Sequence, residues 1–114
     1  QSRDFTHISN VVQANLRAAR TLKGIGETFN IANGKTYSLL DIGSAIEDIL
    51  GRRLEIKRHP KRAGDVRKTF ADISRAKRLL GYRPVMGFEK GIRDTYDYFE
   101  KVYFRGRHRR TAAV

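Results

Sequence analysis

The sequence predicts a mixed α/β fold of about four helices and three short strands. Apolar residues recur at helical spacing in four segments, short alternating segments precede or separate some of them, and Gly or Pro follows most of these segments. The 114 residues suffice for one modest hydrophobic core. Because 39% of the residues are apolar, with six Phe and five Tyr among them, we expect a globular chain.

The first third of the chain predicts a strand, a helix and a second strand. Residues 3–8 alternate like a strand without a preceding turn, so we expect that an upstream portion has been removed. Over residues 9–22 apolar side chains recur at helical spacing, and Ser9 or Asn10 is placed to cap this helix. Residues 28–32 alternate with branched and aromatic side chains, which predicts a strand.

The second helix is the best specified by its sequence. Ser38 stands three residues before Asp41 in a capping-box arrangement, and Gly51 ends the helix. A short strand follows at residues 54–59, and Pro60 ends it. The apolar face of the helix consists of Leu39, Ile42, Ile46, Ile49 and Leu50.

Two further helices complete the predicted domain. Asp72 caps a short helix that ends at Gly81, where a left-handed C-cap belongs. The last helix covers residues 87–104, with apolar and aromatic side chains on one side. We therefore predict one domain over residues 1–104, followed by a solvated basic tail at residues 105–114.

Composition excludes some functions and leaves others open. With no Cys, the chain has no disulfide, thiolate nucleophile or Cys-based metal site, and three scattered His lack metal-ligand spacing, so we expect no metal. No apolar run approaches the roughly 18 to 20 residues that cross a bilayer, so we expect a cytoplasmic protein with no membrane partner. A net charge of +12 can attract nucleic acid, membrane surfaces or phosphorylated metabolites.

Neither common nucleotide-binding loop occurs in the sequence. A G-x-G-x-x-G turn beginning at Gly24 has Phe29 at its third glycine position, and a G-x-x-x-x-G-K loop ending at Lys35 has Phe29 at its first. No Ser, His and acidic residue stand in a recognisable catalytic context. We therefore predict no catalytic residue and no cofactor-binding residue in these 114 residues.

Basic residues in loops are the remaining candidates for function. Arg62 lies in the segment 60–65, where Gly64 permits backbone conformations closed to other residues. Its guanidinium is suited to grip a phosphate through two parallel hydrogen bonds, and Asp65 could accept hydrogen bonds from sugar hydroxyls. The residues alone leave two alternatives open: Arg62 and Asp65 pair in a surface turn, and Arg3 is an exposed strand residue.

Four stretches of the sequence match, in order and at the expected spacing, the motifs of a known family. They correspond to R-D-F-x-Y-V-x-D-V-V, then G-x-x-[YF]-N-[IV]-G-x-G, then R-x-G-D-V, and last A-D-x-S-K-A-x-x-x-L-G-[YW]-x-P. The matching residues are 3–12, 26–34, 62–67 and 71–84. These motifs resemble those of the extended short-chain dehydrogenase/reductases that epimerise or dehydrate nucleotide sugars. The resemblance implies the carboxyl-terminal, substrate-binding portion of such an NAD-dependent enzyme.

The resemblance also implies roles for the matched residues. Arg3 and Arg62 would hold the diphosphate of a UDP-sugar, and Asp65 would bond the ribose of its nucleoside. Phe5 would have a weaker role near the substrate, because an aromatic side chain there can equally serve packing. The resemblance implies NAD as the cofactor of the parent enzyme, a Rossmann portion upstream as the partner of this chain, and a homodimeric parent.

Departures from the family pattern narrow the expected activity. His7 replaces the commoner Tyr and Asn10 the commoner Asp, as in 4-epimerases acting on UDP-glucose and its N-acetylated relatives. A 4,6-dehydratase or a decarboxylase of the same family remains an alternative. The family's catalytic Tyr and Lys lie four residues apart, and no Tyr of this chain has Lys four residues later. The 114 residues alone are therefore predicted to be inactive.

Two functions from other classes compete with this interpretation. The charge of +12 and the Arg-rich tail are also typical of a small nucleic-acid-binding module, whose affinity falls steeply as the salt concentration rises. The apolar side of the last helix is also compatible with an autonomous dimerising domain. Neither alternative accounts for the four matched stretches.

Overall fold

The computed structural model describes residues 1–60 and 62–104, which form four α-helices and a two-stranded sheet. The predicted mixed α/β fold class is confirmed. The predicted basic tail at residues 105–114 lies outside the described residues. The helices are α1 (Ile8–Arg20), α2 (Leu39–Leu50), α3 (Ser74–Leu80) and α4 (Phe88–Phe99), and a π-helical turn, Glu100–Phe104, continues α4.

The predicted strands are largely wrong in position. Strands β1 (Ser2–Arg3) and β2 (Tyr37–Ser38) pair antiparallel, and the sequence did not predict β2. β1 ends at Arg3, residues 4–7 form no ladder with any described segment, and residue 8 already belongs to α1. Residues 28–32 and 54–59 form no ladder with any described segment. Alternation indicates which side chains share a face, whereas a strand also needs a neighbouring backbone to bond with.

The start of α1 also differs from its prediction. Ser9 and Asn10 lie inside the helix, and the cap is His7, whose Nδ1 accepts a hydrogen bond from the Ser9 backbone N–H at 3.2 Å. An imidazole nitrogen can accept this bond as a hydroxyl would, although His is not among the preferred capping residues. The sequence therefore misplaced the cap by two to three residues.

The predicted capping box of α2 is confirmed, whereas the prediction that Asp72 is the N-cap of α3 is wrong. Ser38 and Asp41 form a reciprocal capping box, with Ser38 Oγ accepting from the Asp41 N–H at 3.1 Å and Asp41 Oδ2 accepting from the Ser38 N–H at 2.6 Å. The N-cap of α3 is Ile73, which makes no side-chain capping bond, and Asp72, one position earlier, accepts from the Ser74 N–H at 2.8 Å. Both helices end in a left-handed glycine, at Gly51 and Gly81.

The hydrophobic core lies where α1 packs against α3 and the segment between them. The fully buried hydroxyl of Tyr82 donates to the Ala32 carbonyl oxygen at 2.7 Å, which satisfies the polar end of a large core side chain. Phe29 and Ile31 pack against this core, which explains the alternation of residues 28–32 without a ladder. The buried core residues are Ala14, Ala32, Ile73, Ala76, Leu80 and Tyr82.

Two polar side chains join distant segments. Asn10 is fully buried in α1; its Oδ1 accepts from the Val85 and Met86 N–H groups at 2.8 and 2.9 Å, and its Nδ2 donates to the Met86 carbonyl. The two carboxylate oxygens of Asp4 accept from the backbone N–H groups of residues 33 and 34, each at 2.9 Å. Asp4 therefore holds the turn before β2 against the end of β1.

No helix within residues 1–60 and 62–104 is both long enough and apolar enough to cross a membrane.

Candidate functional site

A groove of about 810 Å³ lies beside the loop that contains Arg62 and Asp65. One wall comes from the start of α2, and the other comes from the irregular segment between α2 and α3. The chain terminus preceding β1 lies between them. The groove is lined by Gln1, Leu39, Leu40, Ile56, Lys57, Arg58, His59, Pro60, Arg62, Asp65 and Arg67.

The loop forms a tight turn at residues 62–65. The Asp65 N–H donates to the Arg62 carbonyl at 3.3 Å, and Gly64 has a φ of +86°, a left-handed conformation that favours glycine. The Asp65 carboxylate also accepts from Gln1 Nε2 at 3.0 Å. The turn therefore fixes the Arg62 and Asp65 backbones at one end of the groove.

Backbone hydrogen bonds attach this loop to β1. The Ser2 N–H donates to the Arg67 carbonyl at 2.9 Å, and the Thr69 N–H donates back to the Ser2 carbonyl at 3.1 Å. On the opposite edge, the Leu39 N–H donates to the Gln1 carbonyl at 3.2 Å. β1 thus lies between the start of α2 and the basic loop, and it brings together three segments that are far apart in sequence.

The groove carries a concentration of unpaired positive charge. The guanidinium groups of Arg58, Arg62 and Arg67 are exposed and have no hydrogen-bond or ion-pair partner among the described residues. Lys57 Nζ lies 3.6 Å from Glu55 Oε1 and is therefore paired. Asp65 is the only acidic residue among the described lining residues. Because like charges gathered in a concave surface raise the local potential, the groove favours an anion.

The alternative in which Arg62 and Asp65 neutralise each other is not observed. Within the described part of the chain, no ion pair within 4.0 Å joins the two side chains, and their contact is the backbone bond of the turn. Asp65 is bonded to Gln1 through Oδ2 only. Among residues 1–60 and 62–104, the Arg62 guanidinium and one Asp65 oxygen therefore have no partner.

The structure does not bring all four predicted site residues into this groove. Arg62 and Asp65 line it together, whereas Arg3 is half-buried in β1 and its Nη1 donates to the Ser2 carbonyl at 2.9 Å. Gln1, two residues before Arg3, does line the groove. Arg3 is thus near the groove in sequence but is not part of its lining.

Phe5 lies at a separate, smaller cavity of about 180 Å³. Its ring centroid is 5.8 Å from that of Phe88, and Phe88 in turn stacks on Tyr37 at 3.9 Å. At the same cavity, His7 Nε2 lies 3.2 Å from the Asp94 carboxylate while Nδ1 accepts from the Ser9 N–H. Both imidazole nitrogens are therefore engaged, which leaves His7 no free nitrogen with which to take a proton from a substrate.

Tyr37 and Tyr82, whose hydroxyl pKa values are raised, are not suited to act as a base. Burial raises the pKa of Tyr82, with a smaller contribution from Asp4. Burial also raises the pKa of Tyr37, and the carboxylates of Glu89, Asp4 and Asp41 add to the effect. A catalytic tyrosine base needs its pKa lowered toward the working pH, so both hydroxyls remain protonated at neutral pH.

Sequence reasoning missed several residues of the groove and its support. Arg58, Arg67 and Gln1 line the groove, and Asp4 anchors the neighbouring turn. A signal for Arg58 was present in the sequence, because the alternating segment 54–59 contains basic residues and is flanked by others. The contribution of Gln1 depends on pairing of distant segments, which a single sequence does not reveal.

Comparison with known proteins identifies the family. The family model described as GDP-mannose 4,6 dehydratase matches residues 1–95. An uncharacterized UDP-glucose epimerase of Bacillus subtilis is 40% identical over 103 residues, which cover 90% of this chain and 33% of that protein. The UDP-glucose 4-epimerase of Mycolicibacterium smegmatis is 34% identical over 98 residues, which cover 86% of this chain and 31% of that enzyme.

Solved structures agree with these relatives. A variant of the UDP-glucuronic acid 4-epimerase of Bacillus cereus, in complex with UDP-4-deoxy-4-fluoro-glucuronic acid and NAD, is similar with a TM-score of 0.84 and 36% identity, over 90% of this chain and 33% of that one. The UDP-glucose 4-epimerase of Thermotoga maritima with UDP-glucose has a TM-score of 0.79 and 35% identity, over 88% of this chain and 32% of that one.

The chain spans about a third of the length of the relatives that it matches. The family resemblance stated from the four sequence stretches is confirmed, because the matching region covers most of the chain in both sequence and structure. The chain belongs to the GDP-mannose 4,6 dehydratase family, among the NAD-dependent nucleotide-sugar epimerases and dehydratases.

Proposed function

We propose that this chain binds the UDP moiety of a nucleotide sugar in the groove beside the 62–65 turn and orients the sugar for an NAD-dependent 4-epimerase. The observation that carries the proposal is the Arg62 guanidinium, which has no partner among the described residues and lines a groove shared with Arg58 and Arg67. The relatives with 4-epimerase activity and UDP-sugar complexes support this choice of ligand.

In this proposal, each groove residue has a separate role. The guanidinium of Arg62 holds the diphosphate through charge-assisted hydrogen bonds, and Arg67 supplies a second positive charge. The Asp65 oxygen that does not bond Gln1 accepts from a ribose hydroxyl. Arg3 is the second clamp implied by the family resemblance; its Nη1 donates to the Ser2 carbonyl, which leaves its other N–H groups for the diphosphate. Phe5 keeps the predicted weaker role near the substrate.

We propose that NAD and the catalytic residues belong to a portion of the enzyme outside these 114 residues, with residues 1–104 as one substrate-binding domain. A dinucleotide site needs a glycine turn at the start of a helix, whereas α1 and α2 begin at the His7 and Ser38 caps. The relatives are solved with NAD bound. The contribution of this chain is then binding energy remote from the reacting carbon, which positions the sugar.

Titration calorimetry with UDP tests the role of Arg62. Because a charge-assisted hydrogen bond contributes about 1.5 to 3 kcal/mol, we expect Arg62→Ala to weaken UDP binding by roughly tenfold or more. The matched control is Arg78→Ala, which removes one exposed guanidinium from α3, away from the groove. If both substitutions weaken UDP binding equally, UDP responds only to the net charge, and the proposal is contradicted. If neither weakens it, UDP does not bind in the groove, which also contradicts the proposal.

A further inference from the structure

Helix α4 is packed at its start and exposed at its end. Phe88 and Gly91 are buried, and Tyr96 is partly buried. From residue 97 to residue 104, through the π-helical turn, every side chain except that of Glu100 is exposed. The described residues therefore cover the first half of this helix but not its continuation.

Five aromatic or aliphatic side chains are concentrated at the exposed end of α4. Their exposed fractions lie between 47% and 62%. The Phe99 ring stacks on Tyr103 at a centroid distance of 5.2 Å and meets the Tyr98 ring edge-on at 5.6 Å. These side chains form one contiguous surface, which single scattered apolar residues do not, and such a surface is typical of an interaction site. We name this surface the apolar patch; it consists of Tyr98, Phe99, Val102, Tyr103 and Phe104.

Positive charge accompanies the apolar patch and continues after it. Lys101 is exposed within the π-helical turn. The ten residues that follow Phe104 in the sequence, which lie outside the described residues, include four Arg and no Asp or Glu. Aromatic side chains beside a run of cations are typical of segments that bind the surface of an anionic membrane. The rings settle at the level of the lipid headgroups, and the cations attract anionic lipids.

Two other occupants suit the apolar patch less well. A second copy of the chain would bring together two sets of cations, which repel each other. A single-stranded nucleic acid stacks its bases on open ring faces, whereas Phe99 and Tyr103 stack on each other and Val102 has no ring. A bilayer surface needs no separate ring faces, because it accepts apolar side chains of any shape.

We propose that the apolar patch and the cations beside it attach this protein to the surface of an anionic phospholipid bilayer. Attachment to a membrane surface needs no spanning helix. The proposal therefore departs from the expectation of no membrane partner, which rested on the lack of a long apolar run. No residue of the apolar patch lines the groove beside the 62–65 turn, so membrane attachment leaves that groove open.

Flotation with phospholipid vesicles tests the proposal. At about 0.1 M salt, the 114-residue chain should bind mixed vesicles of phosphatidylcholine and phosphatidylglycerol at least roughly tenfold more tightly than vesicles of phosphatidylcholine alone. The double substitution Tyr103→Ser and Phe104→Ser should weaken binding to the mixed vesicles by roughly tenfold or more, because two exposed rings no longer leave water. Val85→Ser is the matched control, since Val85 is 56% exposed before the start of α4. It also keeps the net charge and should change binding by less than about twofold.

A fluorescent reporter measures whether the apolar patch enters the bilayer. The chain has no Trp, so Tyr103→Trp introduces a single Trp into the apolar patch. Its emission should be quenched by mixed vesicles whose lipid acyl chains carry bromine, whereas the emission of Val85→Trp should not. Both positions are exposed, so each substitution should change the melting temperature by less than about 2 °C.

Several outcomes would overturn the proposal. These are no binding to the mixed vesicles, equal binding to the two kinds of vesicle, equal weakening by Val85→Ser and by the double substitution, and equal quenching at positions 85 and 103. Tight binding of a single-stranded oligodeoxyadenylate without vesicle binding would assign the apolar patch to nucleic acid instead. A dimer that the double substitution dissociates, again without vesicle binding, would assign it to a second copy of the chain.

Discussion

The segment after α2 and the segment from α3 to α4 differ sharply in how they are held. Residues 71–92 contribute Ile73, Ala76, Leu80, Tyr82 and Phe88 to the buried interior. In contrast, the described residues from 55 to 70 are all exposed, and they contain no helix and no extended strand. One region is fixed by packing, whereas the other is attached mainly through backbone bonds to β1.

This difference separates stability from function within one small chain. Core residues contribute to the free energy of folding because they are removed from water. The exposed cations of the groove contribute little to folding, and their unpaired guanidinium groups remain available to a ligand. We therefore expect substitutions in the two regions to affect different measurements.

The largest expected effect is on the core. Tyr82→Ala removes a fully buried ring and should lower the free energy of unfolding by about 3–5 kcal/mol, measured by urea denaturation. Tyr82→Phe keeps the ring but leaves the Ala32 carbonyl without its donor, so it should cost about 1–2 kcal/mol. Equal stability of the Ala variant and the original chain would show that this region is not the packed core.

A smaller loss is expected at the junction between α1 and the segment before α4. Asn10→Ala removes three hydrogen bonds to residues 85 and 86 and should cost about 2–3 kcal/mol. Asn15→Ala is the control, because Asn15 is exposed and its side chain bonds, within the described part of the chain, only the Val11 carbonyl one turn earlier; it should change stability by less than about 0.5 kcal/mol. Similar losses of stability from both substitutions would show that the Asn10 hydrogen bonds do not hold α1 to the segment before α4.

Ser38→Ala removes the cap of α2 and should lower the free energy of unfolding by about 1 kcal/mol at pH 7, measured by thermal unfolding. The bonds from Ser38 hold the pKa of Asp41 below its ordinary value of 3.8. Because the pKa of Asp41 is lower in the folded chain than in the unfolded chain, the stabilisation by its carboxylate is complete above the unfolded-state pKa. It is lost as the pH falls through the folded-state pKa. The difference between the Ser38→Ala variant and the original chain should therefore shrink below about pH 4.

Ser44→Ala is the control for this measurement, since Ser44 is exposed on the same helix and caps nothing. It should show a small difference that does not change between pH 7 and pH 3. A Ser38→Ala effect that is constant over this range would show that the bond to the Asp41 carboxylate contributes nothing.

The smallest effect on stability is expected in the groove. Arg67→Ala should change the free energy of unfolding by less than about 0.5 kcal/mol, because its exposed side chain has no partner among the described residues. Urea denaturation checks this, and a loss above about 1 kcal/mol would mean that the groove cations are structural.

The sequence predicted those features that depend on local chemistry. The capping box at Ser38, the left-handed glycines at residues 51 and 81, and the extents of α2 and α3 follow from residues within a few positions of one another. The fold class and the loop at Arg62 and Asp65 were likewise accessible, because they rest on periodicity and on matched motifs.

Features that depend on distant segments were not predicted. Strand β2 exists because residues 37 and 38 meet β1, and residues 28–32 pack against the core without any neighbouring strand. His7 replaced the expected cap, because Asn10 is instead drawn into the contact with residues 85 and 86. In each case, a partner far along the chain decides between structures that the local pattern leaves equally possible.

The most direct test of the central claim is to map UDP binding on the folded chain by NMR. Titrating UDP into the isotope-labelled protein should shift the backbone amide signals of groove-lining residues, namely Leu39, Leu40, Ile56, Lys57, Arg58, His59, Arg62, Asp65 and Arg67. Signals from α3 and the core around Tyr82 should remain unchanged. Shifts confined to residues outside the groove, or no shifts at millimolar UDP, would contradict the assignment of this groove as the nucleotide site.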